Sequence, residues 1–381
     1  MIGCGGATTT TLAAIGWQTA VMLEAILLVG GQGTRLRPLT LSAPKPMLPV
    51  AGVPCTTHQI ARAREAGVTH VVLGTSYQAQ VFSDAYGDGS DLGVELTYAH
   101  EETPLGTGGA LRNVVDHLHS GPDDPVLIFN GDVLSGLDIA ALVRHWRDAD
   151  ADVALYLTKV ADPRPFGLVP TDANDTVLAF LEKPSTPEEI VTDQINAGCY
   201  VFRRRVLDDI PAGRPVSVER ETFPGLLSSG ARVIGHVDTS YWLDLGTPLA
   251  FVQGSADLVR GIAPSPALPG ASGERLILDG AQIADSATID GGSCIGRGAR
   301  VGQGATVRGS VLMDDAQVEA GAVIIDSIVG RGAQIGAATC LTGAVVGDDV
   351  HVGAHNEFVS GARIWPGAVI ADASIRFSAE P

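Results

Sequence analysis

Lysine is nearly absent from this chain. Lys45, Lys159 and Lys183 are the three lysines among 25 basic residues, and arginine supplies every other positive charge. Arginine serves wherever a generic cation suffices, so each retained lysine marks a place where a compact, point-like ammonium is worth looking for. Positive charge as a whole is also short: 43 acidic residues leave a net charge of −18. That balance argues against nucleic acid or an anionic membrane as the main partner. Cysteine is sparse and scattered. Cys4, Cys55, Cys199, Cys294 and Cys340 are odd in number and show no CxxC spacing, which excludes a disulfide framework and a structural zinc site and fits a reducing cytoplasm. No run of 18 apolar residues occurs, so no membrane-spanning helix is expected. Residues 1–21 contain no charged side chain and so lack the positive start of a secretory signal. The first strand-like segment begins just after Met22. Residues 1–21 are accordingly read as an extension without a role, with translation starting at Met22.

What remains is an ordinary globular composition, 45% hydrophobic and 18% charged, in 381 residues. That length suits two or three domains of about 100–200 residues each. From Met22 to about residue 260, buried-strand runs (Leu23–Val29, Val71–Thr75, Val94–Tyr98, Val126–Phe129) alternate with helical spacing over 56–66, 107–118 and 138–148. The alternation predicts an α/β layered domain over 22–260 with a mostly parallel sheet, whose ligands sit beyond the carboxyl ends of the strands. Residues 261–275 are rich in Pro, Gly, Ser and Ala and read as a linker. Over 276–381 aliphatic residues recur every six positions from Ile283 through Ile289, Ile295, Val301 and Val307. They continue with one step of five in each of three successive coils, so that 307, 324, 341 and 358 are spaced by 17. This is a hexapeptide repeat and predicts a parallel β-helix with three short faces per coil. Its flat, repetitive faces suit self-association, and a homo-oligomer is expected.

Chemistry concentrates at the strand exits. After the first strand come Gly30, Gly31, Gly33 and Thr34, then Arg35 and Arg37, with Lys45 between two prolines. Glycines at a strand exit let backbone N–H groups approach a phosphate, and three nearby cations suit a nucleoside triphosphate. The glycine spacing matches neither the P-loop nor the dinucleotide fingerprint. A second cluster, Glu101 to Ala110, places glycines, Gly106 first among them, beside two carboxylates. A flat base fits against such a wall. Glu101 or Glu102 can accept from both N1–H and the N2 amine of guanine, although a solvated surface pair is the plainer reading. Asp132 closes the apolar strand VLIFNGD and is placed to bind a hard cation together with Asp244. Glu182 and Lys183 sit side by side at another strand end. They suit sugar hydroxyls and a phosphate, with Asn196 and Gly167 completing the pocket; the plainer reading is a salt-bridged edge.

Taken in order, VGGQGTRLRPLT, APKPMLP, PLGTGGA, FNGD, FLEKP, INAGCYVF, SVERETFP and YWLDLGTP resemble the motifs of the sugar-nucleotide pyrophosphorylases, from about Leu23 to Arg260. EETPLGTGG and SVERETFP look like that family's mannose and guanine branch. The resemblance implies a Rossmann-like nucleotidyltransferase domain followed by a left-handed β-helix. It implies GTP and mannose 1-phosphate as substrates and Mg²⁺ as cofactor. Carried over by motif, Leu28, Gly30, Gly31, Gly33, Thr34, Arg35 and Lys45 would bind the nucleotide, with Glu101, Gly106 and Asp132. Gly167, Glu182, Lys183 and Asn196 would bind the sugar phosphate, and Asp132 and Asp244 the metal. Arg35, Lys45 and Lys183 would act in catalysis. Alternatives left open are UTP or dTTP with glucose 1-phosphate, a non-catalytic regulatory subunit, and a bifunctional enzyme whose β-helix is an acyltransferase using His351 or His355.

Overall fold

A strand covered on both faces reads as a continuous apolar run, because successive side chains enter different cores. The computed structural model, which describes residues 23–268, 273–359 and 361–376, has this arrangement. In β1 (Glu24–Leu28), Ala25 and Leu27 join one core and Ile26 the other. β2 (His70–Thr75) divides in the same way, Val71 and Leu73 opposite Val72. The first core is covered by α1 (Cys55–Glu65) through Ile60 and Ala63. The second is covered by α2 (Gly106–Val114) through Leu111 and Val114. β3 (Glu95–His100), β2, β1 and β4 (Pro125–Asn130) lie side by side and parallel, so the carboxyl ends of β1 and β4 emerge together, Leu28 opposite Asn130.

After β4 the chain forms β5 (Val133–Ser135) and α3 (Ile139–Asp148), whose first turn is capped by the Asp138 carboxylate accepting from the Ala141 N–H. The sheet continues through β6 (Val153–Lys159), β7 (Gly167–Leu168), β8 (Leu181–Glu182), β9 (Gln194–Arg203) and β10 (Val233–Val237) to nine strands in all. β9 enters antiparallel to β4. β11 (Trp242–Asp244) leaves this sheet and pairs antiparallel with β5, setting Asp244 opposite Val133. α4 (Pro248–Arg260) starts from a Thr247 cap with proline in its first turn and ends at Gly261 in the left-handed conformation, a helix punctuated at both ends by its sequence.

The segment expected to be a linker is docked in its first half. Ala263 is buried in a core shared with α4, and the Ser265 hydroxyl lies 2.6 Å from His58 Nδ1. Composition marked this stretch as irregular, and irregular chain can still pack. Pairing of the next domain begins at Arg275, one residue before the expected boundary.

The repeat region is a left-handed parallel β-helix with faces of six, six and five strands. Its interior is the predicted series: Ile295, Leu312, Val329, Val346 and Ile364 on one face, Val301, Val318, Ile335 and Val352 on the next, and Ile289, Val307, Ile324, Leu341 and Phe358 on the third. The five-residue steps fall at the corner leading from the third face to the first. There the Ser293, Ser310 and Ser327 hydroxyls stack at 17-residue spacing, each accepting from the backbone N–H one coil on at 3.1 Å. Each also donates to a carbonyl of its own corner, so the tightened turn leaves none of these buried hydroxyls orphaned. The first face packs outward against α4 and the loop after β1 through Cys294, Val311, Met313, Ile328 and Val345.

Candidate active site

The paired exits of β1 and β4 organise the site. The loop Val29–Thr34 leaves β1 with its first N–H bonded to Gly74. Among the described residues nothing accepts from the N–H groups of Gly31, Gln32 and Gly33, which leaves them available to an anion. Gly33 has φ +59°, and a Cβ there would stand 2.7 Å from Lys45 Cβ, so only glycine admits both the turn and the lysine beside it. Thr40 Oγ1 donates to the Gly33 carbonyl at 3.0 Å and fixes the turn from below.

Lys45 reaches across to the end of β4. Its Nζ lies 2.6 Å from Asp132 Oδ2 and 3.7 Å from Asp244 Oδ1. The β5–β11 pairing brings the two aspartates together, and the Leu245 N–H donates to the Asp132 carbonyl. Asp244 Oδ1 is buried without a hydrogen-bond partner. Burial and the Asp132 charge push the Asp244 carboxyl above its usual range, against the opposing pull of Lys45 and Arg35. The Arg35 guanidinium lies over Gly246, where a Cβ would meet Nη2 at 2.7 Å. Arg35, Lys45, Asp132 and Asp244 thus form one cluster. Two carboxylates with an unsatisfied oxygen are a donor set that fits a hard divalent cation. Lys45, expected on the phosphates, lies on Asp132. In the same place the Cys55 thiol is held neutral, pushed up to about 12 by burial and the Asp132 charge.

Glu101 and Gly106 stand at the end of β3. Glu101 is buried and accepts from the Leu105 N–H at 3.1 Å, while Glu102 is exposed. Burial raises the Glu101 carboxyl, opposed by that hydrogen bond. Gly106 opens α2 with φ +69°, and a Cβ there would strike the Val216 carbonyl at 2.6 Å. The 217–222 segment is thereby locked to the helix start, and Thr107 Oγ1 donates to Glu219 Oε2 at 2.8 Å.

Gly167, Glu182, Lys183 and Asn196 gather on β7–β9. Glu182 pairs with Gly167 across the strands, and Lys183 Nζ lies 3.1 Å from Glu182 Oε1 with most of its side chain exposed. Asn196 Oδ1 accepts from the Gly198 N–H, and its Nδ2 donates to Tyr200. This group joins the aspartates through Gly198, tight against Asn130, and through Trp242, whose Nε1 donates to the Ala197 carbonyl at 3.0 Å while its ring meets Phe166 edge-on.

One positioning side chain escaped the sequence reading. Gln59 on α1 donates from Nε2 to the carbonyls of Asn130 (2.6 Å) and Val133 (3.1 Å), bracketing Asp132. A glutamine on a buried helix face carries no signal that marks it. At the opposite end of β1, Glu24, His70 and His119 place three potential ligand atoms within 4.8 Å of one another. His351, considered for acyl transfer, lies exposed on the second face of the β-helix and bonds to Gln334.

Comparison with known proteins assigns the sequence to a family. Residues 24–261 match the family described as Nucleotidyl transferase, and residues 271–377 match the GMPPB C-terminal domain. The chain belongs to the nucleotidyl transferase family. It is 56% identical over 359 residues to the mannose-1-phosphate guanylyltransferase of Mycobacterium tuberculosis (strain ATCC 25618 / H37Rv), covering 94% of this chain and 98% of that protein. It is 36% identical over 272 residues to the mannose-1-phosphate guanylyltransferase catalytic subunit beta of Drosophila pseudoobscura pseudoobscura, covering 70% of this chain and 72% of the relative. Among solved structures, HddC from Yersinia pseudotuberculosis superposes with a TM-score of 0.54 at 25% identity, over 62% of this chain and all of that one.

Proposed function

We propose that the protein transfers a guanylyl group from GTP to mannose 1-phosphate, giving GDP-mannose and pyrophosphate. The observation that carries this reading is the cluster of Arg35, Lys45, Asp132 and Asp244 at the mouth of a loop with open N–H groups. Identity of 56% to a protein named mannose-1-phosphate guanylyltransferase supports the choice of nucleotide and sugar.

A phosphate oxygen of the sugar attacks the α-phosphorus in line. The new O–P bond forms as the bond to the β-phosphate oxygen breaks, and pyrophosphate leaves. A phosphate monoester is already an anionic nucleophile near neutral pH, so no strong base is required. The obstacles are repulsion between two anions and charge on the leaving group. The loop from Leu28 through Gly30, Gly31, Gly33 and Thr34 supplies N–H donors to the triphosphate. Arg35 and Lys45 supply fixed positive charge to the departing pyrophosphate. Gly106 lets the chain at Val216 close against the start of α2 beside the base, and Glu101 accepts from guanine. Lys183 aims the sugar phosphate, Glu182 takes sugar hydroxyls, and Gly167 and Asn196 shape that side. Asp132 and Asp244 would hold Mg²⁺, whose charge supplies neutralisation at the phosphate oxygens. Unpaired Cys55, Cys199, Cys294 and Cys340 support a cytoplasmic setting, and the stacked faces of the β-helix support a homo-oligomer.

The test is pyrophosphate release with Mg²⁺, crossing GTP, UTP, dTTP and ATP with mannose and glucose 1-phosphates. Preference for GTP with mannose 1-phosphate is expected. Preference for UTP or dTTP with glucose 1-phosphate overturns the guanine assignment, and absence of turnover from folded, nucleotide-binding protein indicates a regulatory subunit.

A further inference from the structure

The first face of the β-helix presents an outward row, one residue per coil and in register: Cys294, Val311, Ile328, Val345, Arg363. The first four are apolar and share a core with Leu36, Leu39, Leu48 and Val50 of the loop after β1. At the fifth rung the row turns from apolar to cationic. Arg363 Nη1 donates to the Arg37 carbonyl at 2.6 Å. At the adjoining corner Asp348 Oδ2 accepts from the Ser42 hydroxyl at 2.6 Å, while Oδ1 accepts from the Arg331 N–H one coil back. Asp348 is therefore anchored to its own domain before it grips the other. Between them these contacts fasten the segment that has Arg35 at one end and Lys45 in its middle. The strands carrying Gly167, Glu182, Lys183 and Asn196 pack in clusters that contain no β-helix residue.

We propose that the β-helix is part of the phosphate-binding apparatus, with Arg363 and Asp348 as positioning residues that set the loop bearing Arg35 and Lys45. The proposal rests on the assignment of that loop to the triphosphate. A loop held from one side only samples geometries in which its cations miss the phosphates, and small misplacements at a phosphoryl site are costly. The effect falls on the nucleotide and spares the sugar phosphate.

The experiment compares Arg363→Ala, Asp348→Ala and the double variant with the parent, measuring KM for each substrate, equilibrium GTP binding and the melting midpoint. Loss of one such hydrogen bond is expected to raise KM for GTP several-fold, and loss of both about tenfold. KM for mannose 1-phosphate stays within about twofold, because its residues lie on elements the clamp does not touch. The midpoint moves little, since both bonds are at the surface. Arg363→Lys, which keeps a cationic donor, recovers part of the GTP affinity. An unchanged KM for GTP, or equal rises for both substrates, overturns the proposal, as does a loss that only tracks the melting midpoint. Should the parent prefer another nucleotide, the substrate assignment fails, and the same split read on that nucleotide still tests the clamp.

Discussion

The two ends of β1 treat a nearby carboxylate in opposite ways. At the amino end Glu24 is fully buried and accepts from the His119 and Ser120 N–H groups, with His70 Nδ1 at 2.6 Å. Burial alone would raise its pKa, but the hydrogen bonds from His70, His119 and Ser120 outweigh it and hold the carboxyl at about 2. At the carboxyl end Asp244 is raised by burial and by Asp132, and one of its oxygens has no hydrogen bond. Similar groups sit at opposite ends of one short strand, and the difference is whether the protein completes the carboxylate's hydrogen bonds. Glu24 is completed by the fold and contributes stability. Asp244 is left incomplete and loses stability for it, which is the mark of a group that something else must complete.

The largest effect that would sharpen the contrast is Asp244→Asn. Turnover should fall at least about a hundredfold, as when a charge-stabilising group is removed from other active sites. The melting midpoint should hold or rise, because the substitution removes a strained charge. The sign follows from linkage: a carboxyl raised in the folded state loses stability as pH rises from its ordinary value near 3.8 through the raised one. The variant should lack that loss in a comparison of melting midpoints between pH 4 and 7. A folded Asn variant turning over at near the parent rate would remove Asp244 from the site.

Glu24→Gln should do the reverse. The shift from 4.5 to about 2 corresponds to about 3 kcal/mol of stability at neutral pH, on the order of 1.4 kcal/mol per unit. A depressed pKa contributes fully above 4.5 and is lost as pH falls toward 2. The parent should therefore weaken across that window, and the variant, already weakened, should show less slope in denaturant titrations. Its kcat per folded molecule should be unchanged. A drop in kcat without a drop in stability would erase the distinction between the two ends.

The sequence made one half of this comparison visible and hid the other. The β-helix was legible to the residue, because each interior position repeats and a phase error would turn aliphatic side chains outward. Lys45 and Lys183 stood out through scarcity, and Asp132 through its place at the end of an apolar strand. Asp244 sits beside Asp132 only through the β5–β11 pairing, which nothing local encodes. Glu24 went unremarked, as the second residue of the expected strand Leu23–Val29. Its partner is fixed by the parallel register Glu24 to His70, and such register belongs to tertiary packing rather than to local pattern. Gln59, Ser42, Asp348 and Arg363 escaped for the same reason: each acts on a partner distant in sequence.

The smallest effect concerns His119, and it decides what kind of cluster the amino end is. Glu24, His70 and His119 are close enough to suggest a metal centre. Their orientation argues otherwise. The two imidazole rings are stacked with centroids 4.4 Å apart and planes 11° from parallel. A nitrogen donates to a metal within its own ring plane, so an ion served by one ring lies off the plane of the other. The Glu24 oxygens are already engaged by N–H groups, two of them from the backbone. The backbone N–H of residue 119 survives substitution, and its ring is half exposed. His119→Ala should thus cost under about 1 kcal/mol, in the range of surface changes, and leave turnover intact. A chelator should shift the melting midpoints of the parent and of His119→Ala equally, because the Asp132–Asp244 pair is the same in both. A midpoint that falls with chelator in the parent but not in His119→Ala would mean that a bound ion completes Glu24 too, and the two ends of β1 would then be alike.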